Sequence, residues 1–236
     1  GVDLNILKLY AQNGEWRNIE KFIYDFQQTC KRLKYSPFPV ISAPSGLAIG
    51  GGFEVIAACD RIVAAGESYI GLVEVGVGLI PGAGGNLRMI SNLSKKIKTA
   101  MPGAFPIIQK AFETIGFAKV ATSGKEAQAI GYLRKDDRIV VNRDYIIAEG
   151  KNEVLKMADD YTVPKVESFK LPGKSGRLVL EATLKSFVKS GKISEHDALI
   201  GRKLGYVLTG GEKGGGTGGG TGGGEGGGGG CEGGTA

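Results

Sequence analysis

Three consecutive glycines, Gly50 to Gly52, constrain this chain more than any other feature. They stand between an apolar, strand-like run that ends at Ile49 and an apolar, helix-like run that begins at Phe53. Glycines leave backbone N–H groups bare and adopt backbone conformations that other residues avoid. The carboxylate of Glu54 follows directly, and Glu74 follows 20 residues later. Bare N–H groups that face two carboxylates suit chemistry on the enolate of a carbonyl compound, so an enzyme is the first hypothesis.

Each carboxylate also has a purely structural interpretation. A glutamate in the first turn of a helix is favourable because it faces the positive end of the helix dipole, which explains Glu54 about equally well. Glu74 alone would more often be a solvated residue at a strand end. However, Glu74 lies inside an otherwise apolar run from Tyr69 to Pro81, where an unpaired carboxylate is costly. The two residues together therefore favour a catalytic pair.

Composition limits the possible classes of function. The 236 residues suffice for one sizeable core, with or without a small appendage. The net charge of +6 suits an anionic partner, although no basic run combines with aromatic residues, so nucleic acid is not the expected partner. With three widely spaced cysteines and one histidine, the chain has no zinc-ligand pattern, and no metal is expected. It also contains no signal peptide and no membrane-spanning apolar run, which predicts a cytoplasmic protein.

The pattern of apolar residues predicts an α/β architecture in which two short strands are followed by a helix, and this β-β-α unit is repeated. Strands are predicted over 40–44, 61–65 and 69–72, and helices over 16–33, 53–59, from Pro81 onward, 101–118, 123–131, 143–161, 177–190 and 194–208. Ser123 and Ser194 are expected to cap two of these helices. We divide the chain into a core (1–163), a helical segment (164–209) that opens with a polar linker (164–176), and a glycine-rich tail (210–236) expected to be disordered or unassigned.

Two nucleotide-binding motifs are incomplete. Gly173-Lys174-Ser175 ends like a phosphate-binding loop, but Ser168 occupies the position of its first glycine. Gly76 and Gly78 begin a dinucleotide fingerprint that fails at Pro81. Neither motif predicts a nucleotide site.

Three ordered segments, 39–54 (PVISAPSGLAIGGGFE), 59–65 (CDRIVAA) and 71–85 (GLVEVGVGLIPGAGG), closely resemble the crotonase (enoyl-CoA hydratase) superfamily. More narrowly, 71–86 and 190–210 resemble the crotonase part of bacterial proteins that fuse 3-hydroxyacyl-CoA dehydrogenase and enoyl-CoA hydratase units. The resemblance covers about 1–210 and is strongest over 37–90. It implies a β-β-α spiral with C-terminal helices, here without its N-terminal strands.

The resemblance also implies an activity and a set of site residues. It implies hydration of an enoyl-CoA thioester in fatty-acid β-oxidation, with Glu54 and Glu74 as the acid/base pair and the N–H groups of Gly51 and Val2 as the oxyanion hole. The implied substrate-binding residues are Leu4, Gly50, Pro81 and Gly82. Double-bond isomerisation is the alternative within the superfamily, and a non-catalytic RNA-binding module is the alternative from another class.

The implied partners are a coenzyme A thioester as substrate and either a homo-oligomer (trimer or hexamer) or a multienzyme β-oxidation complex. No cofactor is expected to be permanently bound, and NAD enters only if a dehydrogenase domain lies upstream. Two residues depart from the superfamily pattern: Val2 replaces an alanine, and Asn5 replaces a lysine that helps to hold the coenzyme A phosphates, for which Lys8 is a candidate substitute.

Overall fold

The computed structural model describes residues 3–97, 103–212 and the backbone of 215–217. Its helices are α1 (Leu4–Gln12), α2 (Trp16–Lys34), α3 (Gly51–Ala58), α4 (Gly85–Lys96), α5 (Phe105–Gly116), α6 (Gly124–Ile130), α7 (Ile146–Ala158), α8 (Gly173–Lys189) and α9 (Glu195–Leu208). Its strands are β1 (Ile41–Ser42), β2 (Leu47–Ile49), β3 (Arg61–Ala65), β4 (Tyr69–Gly71), β5 (Val120–Ala121), β6 (Arg138–Val140), β7 (Ser168–Lys170) and β8 (Gly215–Thr217). Two 3-10 helices span Glu74–Val77 and Arg143–Tyr145.

The predicted β-β-α repeat is confirmed. The order β1-β2-α3 is followed by β3-β4 and then α4. Strand β1 pairs in parallel with β3, and β2 pairs in parallel with β4, so equivalent strands of successive units lie side by side in two sheets. In the register of the second sheet Ile49 lies opposite Gly71, and the N–H of Gly50 donates to the carbonyl of Gly71 at 2.8 Å. The C-terminal ends of strands β2 and β4 are therefore adjacent, and each strand continues into a segment that carries one of the two glutamates.

The core lies where helices α3, α4 and α5 cover the strands. Phe53, Ile62, Ile70 and Met89 are completely buried there. Leucines of α8 and α9 join the same apolar cluster, so the C-terminal helices share this core. Burying one such large side chain stabilises a fold by about 2 kcal/mol, and the cluster therefore fixes the helices that carry the site.

Several sequence predictions are confirmed closely. Helix α2 begins at Trp16 as expected, and β3 spans the predicted residues 61–65. Ser123 accepts the N–H of Glu126 at the start of α6. Ser194 and Asp197 form a reciprocal capping box at the start of α9. These elements could be predicted because the residues that specify them, the regularly spaced apolar residues and the capping serines, lie within the elements or directly before them.

Other predictions need correction. Pro81 does not lie in the first turn of a helix, because α4 begins only at Gly85. The polar linker over 164–176 contains strand β7, and α8 already begins at Gly173. In the tail, predicted to be disordered, Gly215–Thr217 pairs antiparallel with β7. Residues 213–214 and 218–236 lie outside the described residues.

Candidate active site

The turn at Gly50 creates the first half of the site. Gly50 has φ +57° and ψ −129°, a conformation that is accessible essentially only to glycine. It turns the chain out of β2 so that α3 begins at Gly51, which is buried. The first N–H groups of a helix have no intrahelical acceptor, and no side chain caps this helix. The N–H of Gly51 is therefore a donor without an intrahelical acceptor, and its role in an oxyanion hole stays a prediction.

Glu54, in the first turn of α3, is held by backbone amides. Only 4% of the residue is exposed, and its Oε1 accepts the N–H of Ala83 at 2.7 Å and that of Gly85 at 2.9 Å. Burial raises the pKa of this carboxyl because it disfavours the charge, and the two amides offset part of the rise. A Cβ at Gly85 would lie 3.1 Å from Oε1, so the absence of a side chain there lets the start of α4 approach the carboxylate.

Glu74 lies beside Gly50, the residue that precedes α3. It is the first residue of the 3-10 helix that follows β4, and its Oε1 lies 3.4 Å from where a Cβ on Gly50 would be. Both carboxyl oxygens are buried and lack a hydrogen-bond partner. Burial raises the pKa of Glu74 to about 7; the backbone amides of Glu74 and Val73 offset part of the rise, and the negative charge of Glu54 adds to it. A buried carboxyl that is half protonated near neutral pH can donate or accept a proton.

Comparison with known proteins identifies the family of the segment that carries both glutamates. Residues 4–102 match the family model described as "Enoyl-CoA hydratase/isomerase". These residues belong to that family. The chain is 39% identical over 213 residues to a "Probable 3-hydroxyacyl-CoA dehydrogenase" of Bacillus subtilis, covering 90% of this chain but 26% of that protein. It is also 35% identical over 125 residues to a "Probable enoyl-CoA hydratase" of the same organism, covering 52% of this chain and 43% of that protein.

The crotonase fold is supported by solved structures. An enoyl-CoA hydratase from Thermoplasma volcanium superimposes with a TM-score of 0.52 at 19% identity, covering 89% of this chain and 68% of that one. This likeness concerns the fold. The chain spans only about a quarter of the length of the first curated relatives it matches, at 26% and 22%.

The remaining predicted site residues of this crotonase-fold chain lie in different surroundings. Val2 lies outside the described residues. Leu4 begins helix α1, capped by Asp3, and is 44% exposed, and its role in substrate binding stays a prediction. The carbonyl of Pro81 accepts from Asn86 at 2.8 Å, and that of Gly82 accepts from the Gln27 side chain at 2.7 Å. These two residues thus build the turn that presents the amides to Glu54.

Sequence reasoning missed Tyr132. This residue is completely buried, its ring meets that of Phe53 edge-on at 5.0 Å, and its hydroxyl donates to the carbonyl of Lys119 at 2.7 Å. The same hydroxyl accepts the N–H of Leu72 at 3.2 Å. It therefore links β5 to the end of β4, two residues before Glu74. No motif marks it, and only the spatial neighbourhood reveals the role.

Two further findings concern ligands and membranes. Among the described residues, no cluster of three or more histidine, cysteine or acidic side chains is arranged to hold a metal ion. No helix in the described part of the chain combines the length and apolar composition needed to cross a membrane.

Proposed function

We propose that this chain hydrates the 2,3 double bond of an enoyl-CoA thioester. The observation that carries the proposal is Glu74, whose buried carboxyl oxygens have no hydrogen-bond partner and lie beside Gly50, the residue that precedes α3. Names of relatives support it, since they include a probable enoyl-CoA hydratase and a methylglutaconyl-CoA hydratase.

The proposed oxyanion hole consists of two backbone N–H groups that donate hydrogen bonds to the thioester oxygen. The N–H of Gly51 points out of the helix start, and the N–H of Val2 is its proposed counterpart. Donors fixed in place before charge develops stabilise the enolate, and removing one typically costs about 3 kcal/mol of transition-state stabilisation. Gly51 is buried, so this interaction is weakly screened by water.

The two glutamates differ in their contacts, and we assign roles accordingly. Two amides stabilise the charged form of Glu54, which suits a base that takes a proton from water as the oxygen attacks C3. Glu74 has a pKa of about 7, which suits the acid that delivers a proton to C2. The product gains one hydroxyl at C3 and one hydrogen at C2, so the atoms of water are accounted for.

The wider setting is also a proposal. The product of hydration, a 3-hydroxyacyl thioester, is the substrate of an NAD-dependent dehydrogenase. Relatives are named as a probable 3-hydroxyacyl-CoA dehydrogenase and a putative fatty acid oxidation complex trifunctional enzyme. We therefore propose that the chain acts within fatty-acid β-oxidation in the bacterial cytoplasm, as part of a multifunctional protein, an oligomer or a complex.

The test is turnover of crotonyl-CoA, followed by loss of the enoyl-thioester absorbance. Glu54→Gln and Glu74→Gln should each reduce kcat by about 100-fold or more, the usual contribution of a positioned acid or base. Glu20→Gln, on the exposed face of α2, is the matched control and should retain full activity. Unchanged turnover in both site variants would refute the mechanism.

Two other outcomes would select the alternatives. Conversion of a 3-enoyl-CoA to the 2-enoyl isomer without net hydration would indicate the isomerase activity that the family description also names. Tight RNA binding that weakens steeply with salt, in the absence of any turnover, would indicate the binding module.

A further inference from the structure

The antiparallel ladder between β4 and β5 stops one pair earlier than its register allows. Its last pair is Gly71 with Val120, and the same register places Leu72 opposite Lys119. The carbonyl of Gly71 is directed to the side of β2, where it accepts the N–H of Gly50. Because backbone groups alternate along a strand, the N–H of Leu72 is directed to β5. In a continued ladder it would donate directly to the carbonyl of Lys119, at about 2.9 Å.

The hydroxyl of Tyr132 takes the place of that direct bond. It accepts the N–H of Leu72 at 3.2 Å and donates to the carbonyl of Lys119 at 2.7 Å. Two hydrogen bonds in series therefore span a gap that a direct bond would close to about 2.9 Å. The hydroxyl thus acts as a spacer at the point where β4 ends, two residues before Glu74.

Tyr132 is held in place from helices α4 and α3. Asn92, which is buried in α4, donates its side-chain amide to the carbonyls of Gly131 and Tyr132, each at 3.0 Å. Gly131 has φ +111°, and a Cβ there would lie 2.8 Å from a carbon of Leu93, so α4 approaches this backbone closely. The ring meets that of Phe53 in α3 edge-on at 5.0 Å. Both the backbone and the ring are therefore fixed independently of the hydroxyl.

The same tyrosine is linked to both glutamates. Phe53, on which its ring packs, directly precedes Glu54 in α3. Burial raises the pKa of Tyr132 to about 12; the N–H of Leu72 offsets part of the rise, and the negative charge of Glu74 adds to it. The hydroxyl is therefore neutral near pH 7, and a neutral hydroxyl can donate one hydrogen bond while it accepts another.

We propose that Tyr132 is a positioning residue for Glu74, because its hydroxyl sets where the chain leaves β4 and enters the 3-10 helix that carries this carboxyl. The inference rests on the proposed hydration reaction, in which Glu74 delivers a proton to C2. Without the hydroxyl, the N–H of Leu72 would reach the carbonyl of Lys119 only if the end of β4 moved toward β5. A displacement of about 1 Å in an active site can lower the rate about 100-fold.

Hydration of crotonyl-CoA by Tyr132→Phe tests this role, since phenylalanine keeps the ring and removes only the hydroxyl. The value of kcat should fall by about 10-fold or more, whereas KM should change by less than about 2-fold, because the loss falls on the chemical step. Ile62→Val is the control. It removes one methylene from a completely buried side chain in the other sheet, lowers stability moderately and should retain kcat.

A double variant separates positioning of Glu74 from a general loss of structure. In the Glu74→Gln background, Tyr132→Phe should have little further effect on kcat, since the group that the tyrosine positions is already absent. If the two losses multiply instead, Tyr132 acts independently of Glu74 and the inference is overturned. An unchanged kcat in Tyr132→Phe, or an equal loss in Ile62→Val, would overturn it as well.

Failure of the inference and failure of the reaction are distinguishable. Heteronuclear NMR follows the placement of Glu74 without turnover: Tyr132→Phe should shift the backbone amide signals of Leu72 and Glu74, and Ile62→Val should leave the Glu74 signal in place. These shifts in a protein whose wild type does not hydrate crotonyl-CoA would refute the reaction alone. Hydration by the wild type, with an unmoved Glu74 signal in Tyr132→Phe, would refute the inference alone.

Discussion

Replacing Glu74 by glutamine should stabilise the fold at alkaline pH, although it removes a proposed catalytic group. The pKa of Glu74 is about 7 in the folded protein, against an ordinary value of 4.5. At pH values between these two pKa values, Glu74 keeps its proton in the folded state but has released it in the unfolded state. Stability is therefore lost as pH rises from about 4.5 to about 7, and the loss is complete above that range. Glutamine is neutral at every pH and escapes this loss.

The size of the effect follows from the pKa difference. A difference of about 2.5 corresponds to about 3 kcal/mol, since each unit of pKa is worth about 1.4 kcal/mol. We expect the variant to match the wild type near pH 4.5, where Glu74 is protonated and resembles glutamine. Its free energy of unfolding should exceed that of the wild type by about 2–3 kcal/mol near pH 8.5.

Urea unfolding at several pH values, with the m-value required to stay unchanged, measures this difference. Glu20→Gln is the matched control, because this exposed residue of α2 should show no pH-dependent difference. If the free energies of unfolding of Glu74→Gln and the wild type differ by the same amount near pH 5 and near pH 8.5, the reasoning is refuted. A variant that is less stable than the wild type at alkaline pH would refute it as well.

Two further predictions concern packing around the site. Tyr132→Phe keeps the ring but leaves the buried N–H of Leu72 unpaired, so it should cost about 1–3 kcal/mol in urea unfolding. Tyr24→Phe, with an exposed side chain, should stay within about 0.5 kcal/mol. Equal stability of the two variants would contradict the bridging role of the hydroxyl. Gly85→Ala would place a Cβ 2.7 Å from a carbon of Leu72, so it should lower the free energy of unfolding by about 1–3 kcal/mol and also lower kcat. Gly52→Ala, with open space around its Cβ, should not lose this stability. A fully stable and active Gly85→Ala variant would argue against the close approach.

Much of the fold could be predicted because its signals are local. The apolar spacing of α2, the capping serines of α6 and α9, and the β-branched run of β3 all act within a few residues. The pairing of Glu54 with Glu74 was inferred from a resemblance and from the cost of an unpaired carboxylate in an apolar run. In the structure Glu74 lies beside Gly50, and it is close enough to Glu54 for the charge of Glu54 to raise its pKa.

Other features depend on contacts distant in sequence. Strands β5 and β6 have only two or three residues, too few for a detectable alternation. The turn after Pro81 resembled a helix start because proline and glycine are common there, yet the amides of Ala83 and Gly85 are directed at Glu54 instead. The role of Tyr132 depends on which residues surround it in space.

Glu54 is held by the peptide backbone, with no side-chain partner among its hydrogen bonds in the described residues. Its orientation is thus encoded in the path of the chain between Pro81 and α4, where the buried Ala83 packs in a cluster with Cys30 and Ala58. The orientation of this carboxylate therefore depends on the geometry of the turn, and substitutions of side chains elsewhere around it can leave it in place.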